Sequence, residues 1–325
     1  MQTHINKLNS YLTQNFTNSD IDGDDDDVNA DEELVSPINC NFYDYDEFSS
    51  AKFDSSKSFS VFHLNIHSIQ KHIDSLRSLL ILLESKDFEF DIVAISESKI
   101  LKNVSPIVDI NIHNYHDPIS MPSEANKGGV LLYVNKKIPN FKPRPDLNIY
   151  SPKMLESSFI EIINPNKCNT LIGVLYRHPS LDVDIFNSDY IRPLVTKLSL
   201  EKNKNVYLCG DFNINLLNLS NHSGSSEFFD IMSSNHLLPS ISLPTKLNSS
   251  GNDTLIDNIY TNLFNPDTIS GNISFNVSDG HLPSFVIIPY PNQNHLPKKK
   301  LSTIPKISIL TTLISNQHYP KSSMM

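Results

Sequence analysis

NVYLCGDFNIN, residues 205–215, changes character midway. Val206, Tyr207, Leu208 and Cys209 read as a short buried strand, after which Gly210 admits Asp211 and Asn213 around Phe212. Side chains two apart on an extended chain face the same way, so Asp211 and Asn213 can address one target together. The alternative is a strand that ends in polar turn residues. The stretch alone leaves both open.

The same habit recurs along the chain. SVFHLNI (60–66) alternates and ends near Asn65; FDIVAISES (90–98) is a buried strand ending at Glu97; NTLIGVLYR (169–177) ends at Tyr176. Asp257 interrupts the apolar run TLIDNIY, and Asp279 with His281 follows another strand. A carboxylate inside a buried strand is costly unless it finds a partner. If the strand ends share one edge, Glu97, Asp211, Asp257 and Asp279 converge, and their repulsion raises some pKa values unless a divalent cation sits among them. Oxygen ligands with room for water suit Mg²⁺ better than zinc.

Between these strands, Ile69, Ile73, Leu76, Leu80 and Leu83 fall at helical spacing, which predicts an amphipathic helix over 69–86. KGGVLLYVNKKI (127–138) is a strand entered through a Gly-Gly turn. SSFIEII (157–163) and NTLIGVLYR form a hairpin around NPNKCN. Helices follow over roughly 184–201 and 228–238, and NISFNVSD (272–279) and LPSFVII (282–288) supply the last strands. Many strands with few helices predict two packed sheets flanked by helices, an α/β sandwich in one domain.

The chain has 325 residues, and its 39% hydrophobic share lies below the usual value yet supports a core. Its net charge of −10 is local: residues 1–60 hold 13 of the 36 acidic residues and 3 of the 26 basic ones, so the remainder is charge-balanced. The run DIDGDDDDVNADEE (20–33) cannot bury enough apolar surface to offset its ordering entropy. Residues 1–37 are therefore expected to be a disordered acidic arm, 38–297 the folded domain, and 298–325 an irregular tail. Cys40, Cys168 and Cys209 lack paired or metal-knuckle spacing, and the N-terminus lacks an apolar signal core. An intracellular, reducing compartment is expected. The longest apolar run, LLILL (79–83), is too short to span a bilayer.

HLNIHS, DIVAISES, GGVLLYV, LIGVLYRHPS, GDFNIN, PTKLNSSGNDTLIDNIYTN and SDGHLP, in this order, resemble the endonuclease/exonuclease/phosphatase superfamily. More narrowly, they are similar to the apurinic-type endonuclease domain of non-LTR (LINE-like) retrotransposons. The resemblance spans residues 38–297. It implies a four-layered, DNase I-like α/β sandwich and a Mg²⁺-dependent phosphodiesterase, with Mn²⁺ as the alternative ion. It also implies DNA as substrate, with no membrane association and no obligate protein partner. By the resemblance, Glu97 is the principal metal ligand, supported by Asn65, with Asp279 beside the metal. Tyr176 contacts the scissile phosphate, Asp211 orients or deprotonates the attacking water, and Asn213 holds a phosphate oxygen. His281 stabilises phosphate charge, its ring fixed by Asp257. Lys136, Lys137, Lys142 and Arg144 are candidate contacts to the nucleic-acid backbone, or else a solvated loop.

Two departures stand out. The family reads Ser-Asp-His where this chain inserts Gly280, and His178 occupies a position where proline is usual. Glycine is the residue best able to absorb an insertion as a bulge, so His281 is expected to stay on Asp257, and deletion of Gly280 to keep or raise activity. Such domains ordinarily precede a reverse transcriptase, and the sequence carries none, so a truncated retroelement copy or a fragmentary gene model is expected. Two further readings share the fold: a phosphatase for a small phosphoester, and a folded relic that binds DNA without cleaving it.

Overall fold

Strand β2 (Ser58–Asn65), helix α2 (Ile69–Glu84) and strand β3 (Ile92–Ser96) show how the fold is built. The two strands pair in parallel, and the helix between them lays Ile69, Ile73, Leu76, Leu80 and Leu83 onto the sheet. Its apolar positions recur at helical spacing, whereas the strands bury every residue because both faces are covered. The structure, a computed structural model, describes residues 40–290 except 52, 54–55, 125–126, 166–167 and 249–250. The arm expected over 1–37 and the tail over 298–325 lie outside the described residues.

Sheet one also contains β1 (Cys40–Tyr43), β4 (Ile119–Met121), β5 (Val130–Val134), β13 (Ile269–Ile273) and β14 (Ser284–Pro289), in the order β1-β13-β14-β2-β3-β5-β4. The short helix α1 (Tyr45–Ser50) follows β1 and is closed by a capping box between Asp44 and Glu47. Sheet two contains β6 (Phe141–Pro143), β8 (Leu155–Ile162), β9 (Thr170–Arg177), β10 (Asn205–Asp211), β11 (Leu238–Pro239) and β12 (Asp257–Thr261), with β7 (Tyr150–Ser151) paired to β8. Its order is β11-β12-β10-β9-β8-β6. Helix α3 joins β9 to β10. Its α-helical ends, Val183–Ile185 and Arg192–Leu200, flank a π-helical stretch, Phe186–Ile191. Helix α4 (Ser223–Ser234) packs beside it on the outer face of sheet two.

The sheets meet over an inner core that includes Val61, Ala94, Val174, Cys209 and Ile259. These lie on the inward-facing alternate positions of β2, β3, β9, β10 and β12, and the outer faces carry the helices. The result is the α/β sandwich of two packed sheets expected from the strand pattern, in the four layers that the resemblance implies. No helix among the described residues is long and apolar enough to cross a membrane.

Candidate active site

The same alternation, carried to the strand ends, turns the inner core polar. Asn65, Ser96, Tyr176, Asp211 and Asp257 stand an even number of residues from Val61, Ala94, Val174, Cys209 and Ile259, on the same inward face. Asp211 pairs in register with Tyr176 on one side and Asp257 on the other. The C-terminal ends of β2, β3, β9 and β10 thus meet the N-terminal ends of β12 and β14 along one edge of the sandwich.

The side chains bond across the two sheets. Asn65 Nδ2 donates to Asp211 Oδ2 at 2.8 Å and to Glu97 Oε1 at 3.3 Å, linking the two carboxylates. The Tyr176 hydroxyl donates to Glu97 Oε1 at 2.7 Å. On the other oxygen, His67 Nδ1 lies 3.1 Å and Lys99 Nζ 3.9 Å from Glu97 Oε2. Lys99 Nζ also lies 3.0 Å from His67 Nε2; an ammonium can only donate, so Nδ1 carries the imidazole proton and donates to Glu97. Burial raises the Glu97 pKa, but these donors and cations outweigh it and hold the carboxyl below its ordinary value.

Asp211 is 1% exposed. Burial, reinforced by the neighbouring Asp257 charge, pushes its pKa up to about 7. The backbone N–H of Asn213 donates to its Oδ1 at 2.9 Å. Asp257 Oδ2 accepts from the Thr245 hydroxyl at 2.8 Å and from His281 Nδ1 at 2.9 Å. Burial works against ionisation of Asp257, but His281 and the hydrogen bonds carry it below its usual value. His281 moves oppositely: burial depresses its pKa, and the Asp257 carboxylate more than restores it to above the ordinary range. With Nδ1 committed to Asp257, Nε2 is the nitrogen left for a ligand.

Asn213 sits at φ 49°, and its side-chain N–H donates to the Arg177 carbonyl at 2.6 Å, leaving one N–H for a ligand. Arg177, buried beneath this turn, donates to the carbonyls of Phe212 and Asn213 at 3.2 Å each. His67, Glu97 and Lys99 also lie at positive φ (50°, 51° and 53°), so four non-glycine residues of the site share a conformation that L-residues avoid.

Asn65, Glu97, Tyr176, Asp211, Asn213, Asp257 and His281 are therefore gathered at one edge. Asp279 stands at the same edge, beside Ser278, whose hydroxyl bonds the Asn65 carbonyl, but its side chain is 59% exposed and pairs with Lys71 Nζ at 3.1 Å, with His72 Nε2 at 3.9 Å. Lys136, Lys137, Lys142 and Arg144 lie elsewhere. β5 runs antiparallel to β3, with Val134 opposite Ile92, so Lys136 and Lys137 emerge at the far end of the sheet. Lys142 lies opposite Glu161 near the far end of β8. Three of the four also have carboxylate partners: Lys137 pairs with Asp91 at 3.1 Å, Lys142 with Glu161 at 3.5 Å, and Arg144 with Asp146, Glu161 and Glu201. Their counterparts at the site's own edge are Lys99, Lys153 in the turn before β8, and Lys246, whose backbone pairs antiparallel with that of His281.

Sequence reading also missed His67, Lys99 and Thr245. Each reaches the site through loop geometry that periodicity does not register.

Two places carry donors for a metal. The Glu97 and Asp211 carboxylates, tied together by Asn65 Nδ2, offer oxygen ligands of the kind a hard divalent ion prefers. Asp211, Asp257 and His281 offer ligand atoms all within 4.8 Å of one another. Asp257 and His281 are already bonded to each other, however, so that group acts first as a carboxylate–imidazole pair facing Asp211. The Glu97 set fits such an ion provided His67 and Lys99 yield Oε2 to it.

Two seven-stranded sheets flanked by helices, with polar strand ends gathered on one edge, make a DNase I-like α/β sandwich. Solved structures agree. The AP endonuclease LMAP from Leishmania major superimposes with a TM-score of 0.55 at 11% identity, covering 74% of this chain and 91% of that one. The endonuclease domain of TRAS1, a telomere-specific non-LTR retrotransposon, gives 0.52 at 10% identity, covering 72% and 100%. The 3′ phosphatase NExo from Neisseria, bound to a product DNA hairpin, gives 0.51 at 13% identity, covering 71% and 100%. No family model matches the sequence, and no curated protein matches it.

Proposed function

We propose that this chain is a divalent-metal-dependent phosphodiesterase that nicks DNA, of the retroelement endonuclease type. The observation that carries the reading is the hydrogen-bonded line from Glu97 through Asn65 to Asp211, beside the Asp257–His281 pair. Likeness to an AP endonuclease and to a retrotransposon endonuclease domain supports the choice of substrate. Three free cysteines accord with a reducing, intracellular setting.

In this reading Glu97 would hold the ion, and Asn65, whose Nδ2 bonds both Glu97 and Asp211 while its Oδ1 accepts from the His67 N–H at 3.1 Å, would keep the two carboxylates in place. The ion when bound withdraws charge from the phosphate. Asp211, poised near neutral pH, takes the proton of the attacking water. The remaining N–H of Asn213 and the Nε2–H of a protonated His281 meet developing charge on the phosphate oxygens. Tyr176, whose hydroxyl bonds Glu97, sets the carboxylate's angle.

Supercoiled plasmid incubated with Mg²⁺ or Mn²⁺ should relax to the nicked form, and EDTA should stop it. Inositol phosphates and a 3′-phosphorylated oligonucleotide run alongside test the phosphatase reading. Absence of metal-dependent cleavage of every substrate overturns the proposal.

The Glu97→Gln variant keeps the shape and removes the charge. It should lose metal-dependent nicking and the heat of Mn²⁺ binding in calorimetry, while its circular dichroism stays that of wild type. Wild-type Mn²⁺ affinity in this variant would move the ion elsewhere.

The lysine geometry gives a further expectation. Lys153→Ala with Lys246→Ala should flatten the log–log salt dependence of DNA binding by about 0.9 for each phosphate no longer neutralised. Lys136→Ala with Lys142→Ala, at the far edge, should leave the slope unaltered. The reverse pattern would place DNA on the other end of the domain.

A further inference from the structure

One buried imidazole near the site has no part in the roles above. His63 follows Val61 and precedes Asn65 on the inward stripe of β2, and it is 0% exposed. Its Nε2 lies 3.2 Å from the Ser96 hydroxyl, and its Nδ1 has no hydrogen-bond partner. Burial disfavours the charged form of the ring. β2 stacks across the sandwich on β12, where Asp257, itself 1% exposed, has an unpartnered Oδ1. The charge of Asp257 acts on His63, and His63 acts back on Asp257.

A buried donor and a buried acceptor left unmatched are each costly. One buried water with two to four polar partners satisfies both. From this geometry we infer that His63 is a positioning residue: its Nδ1–H donates, through one buried water, to Asp257 Oδ1, and so fixes the carboxylate whose other oxygen orients His281. The role rests on the phosphodiesterase reading.

The direction of every bond then follows. With the proton on Nδ1, Nε2 accepts from the Ser96 hydroxyl at 3.2 Å. Asp257 accepts from Thr245 and His281 on one oxygen and from the water on the other. A carboxylate with three donors stays ionised, even beside the second carboxylate of Asp211. The charge on Asp257 in turn keeps Asp211 a willing proton acceptor. His63 acts on the reaction only through Asp257.

The test uses the full chain labelled with ¹⁵N-histidine. In metal-free wild-type protein, the side-chain ¹⁵N shifts of His63 should report a neutral ring protonated at Nδ1. His63→Leu removes the donor, and should shift the His281 Nδ1 signal and lower kcat about tenfold or more at unchanged KM, as loss of an outer partner typically does. His63→Asn places a carboxamide N–H near the old Nδ1 position, and should keep kcat within about threefold of wild type and the His281 signal near its place, since it preserves the donor. Protonation of His63 at Nε2 in wild type overturns the proposal whether or not any variant folds. So does a His63→Leu protein with wild-type kcat and an unmoved His281 signal. If wild type cleaves nothing, the phosphodiester reading fails by itself, while the His63 proton position and the His281 shift still decide whether the link to Asp257 exists.

Discussion

Asp211→Asn is expected to lower phosphodiester cleavage by about 10²–10⁴-fold, the range a positioned general base contributes, with little change in the fold. The reason lies in where the carboxylate sits. Asp211 is buried between Tyr176 and Asp257 in register, so desolvation and the Asp257 charge lift its pKa to about 7. A base with that pKa is ionised often enough to act near neutrality and still takes a proton readily. In wild type, log(kcat/KM) should rise by one unit per pH unit below about 7 and then level off. A bound divalent ion favours the ionised carboxylate, so the limb should shift to lower pH as metal affinity rises.

The same shift has a consequence for stability, best seen in EDTA. The folded-state pKa is raised above its unfolded value, so between about pH 4 and 7 the folded form keeps a proton that the unfolded form has released. This group's contribution to stability therefore falls as pH rises through that window, by up to about 1.4 kcal/mol per pH unit. Asp211→Asn should remove that slope. Denaturant midpoints at pH 5, 6, 7 and 8 for the two metal-free proteins measure it. Parallel curves, or a variant that nicks at the wild-type rate, would mean that Asp211 does not carry the proton.

Several members of the site were legible because strand periodicity and site geometry are the same fact. Val61 and Asn65, Ala94 and Ser96, Val174 and Tyr176, Cys209 and Asp211 are even steps along one inward face. Alternation alone marks where the inner core stops being apolar. Direction is harder to see. Lys136 and Lys142 look as well suited to DNA as Lys246 until the sheet shows β5 running back from the site edge. Thr245 reaches Asp257 only because the loop folds back through paired Lys246 and Thr254. The strand expected over NISFNVSD ends at Ile273, where the chain turns off to bond the Tyr43 carbonyl through Ser274. β1, the parallel partner of β13, is short and distant in sequence, so nothing local announced it. The helix expected over 184–201 is present, but its pattern did not register the wider π-helical turn at Phe186–Ile191.

Gly280 is where sequence and structure bear on the same residue with different expectations. Gly280 stands at φ +83°, a conformation that costs glycine little. Its N–H bonds the Ser278 carbonyl at 2.9 Å, and its own carbonyl accepts from Leu247 N–H at 2.9 Å. The Ser278 hydroxyl reaches back to the Asn65 carbonyl at 2.8 Å, so the turn is tied to the site on both sides. Beyond it, His281 Nδ1 stands 2.9 Å from Asp257. Gly280 is thus held in the turn, and beyond it His281 meets its partner. Gly280→Val should lower nicking by about a hundredfold, since a β-branched residue at positive φ is strained by roughly 1–3 kcal/mol and relaxes by moving His281. Its Cβ would also stand 3.3 Å from the Leu247 carbonyl oxygen. Gly280→Ala should fall between wild type and Gly280→Val. Deletion now carries the opposite expectation from the one that family spacing gives: it breaks the bond to Leu247 and turns His281 off Asp257, so activity should drop at least as far as in Gly280→Val. Plasmid nicking by the three variants, read beside the ¹⁵N signal of His281, decides the matter. A deletion protein that cleaves faster than wild type would show that the His281–Asp257 contact held by this turn is not the working one.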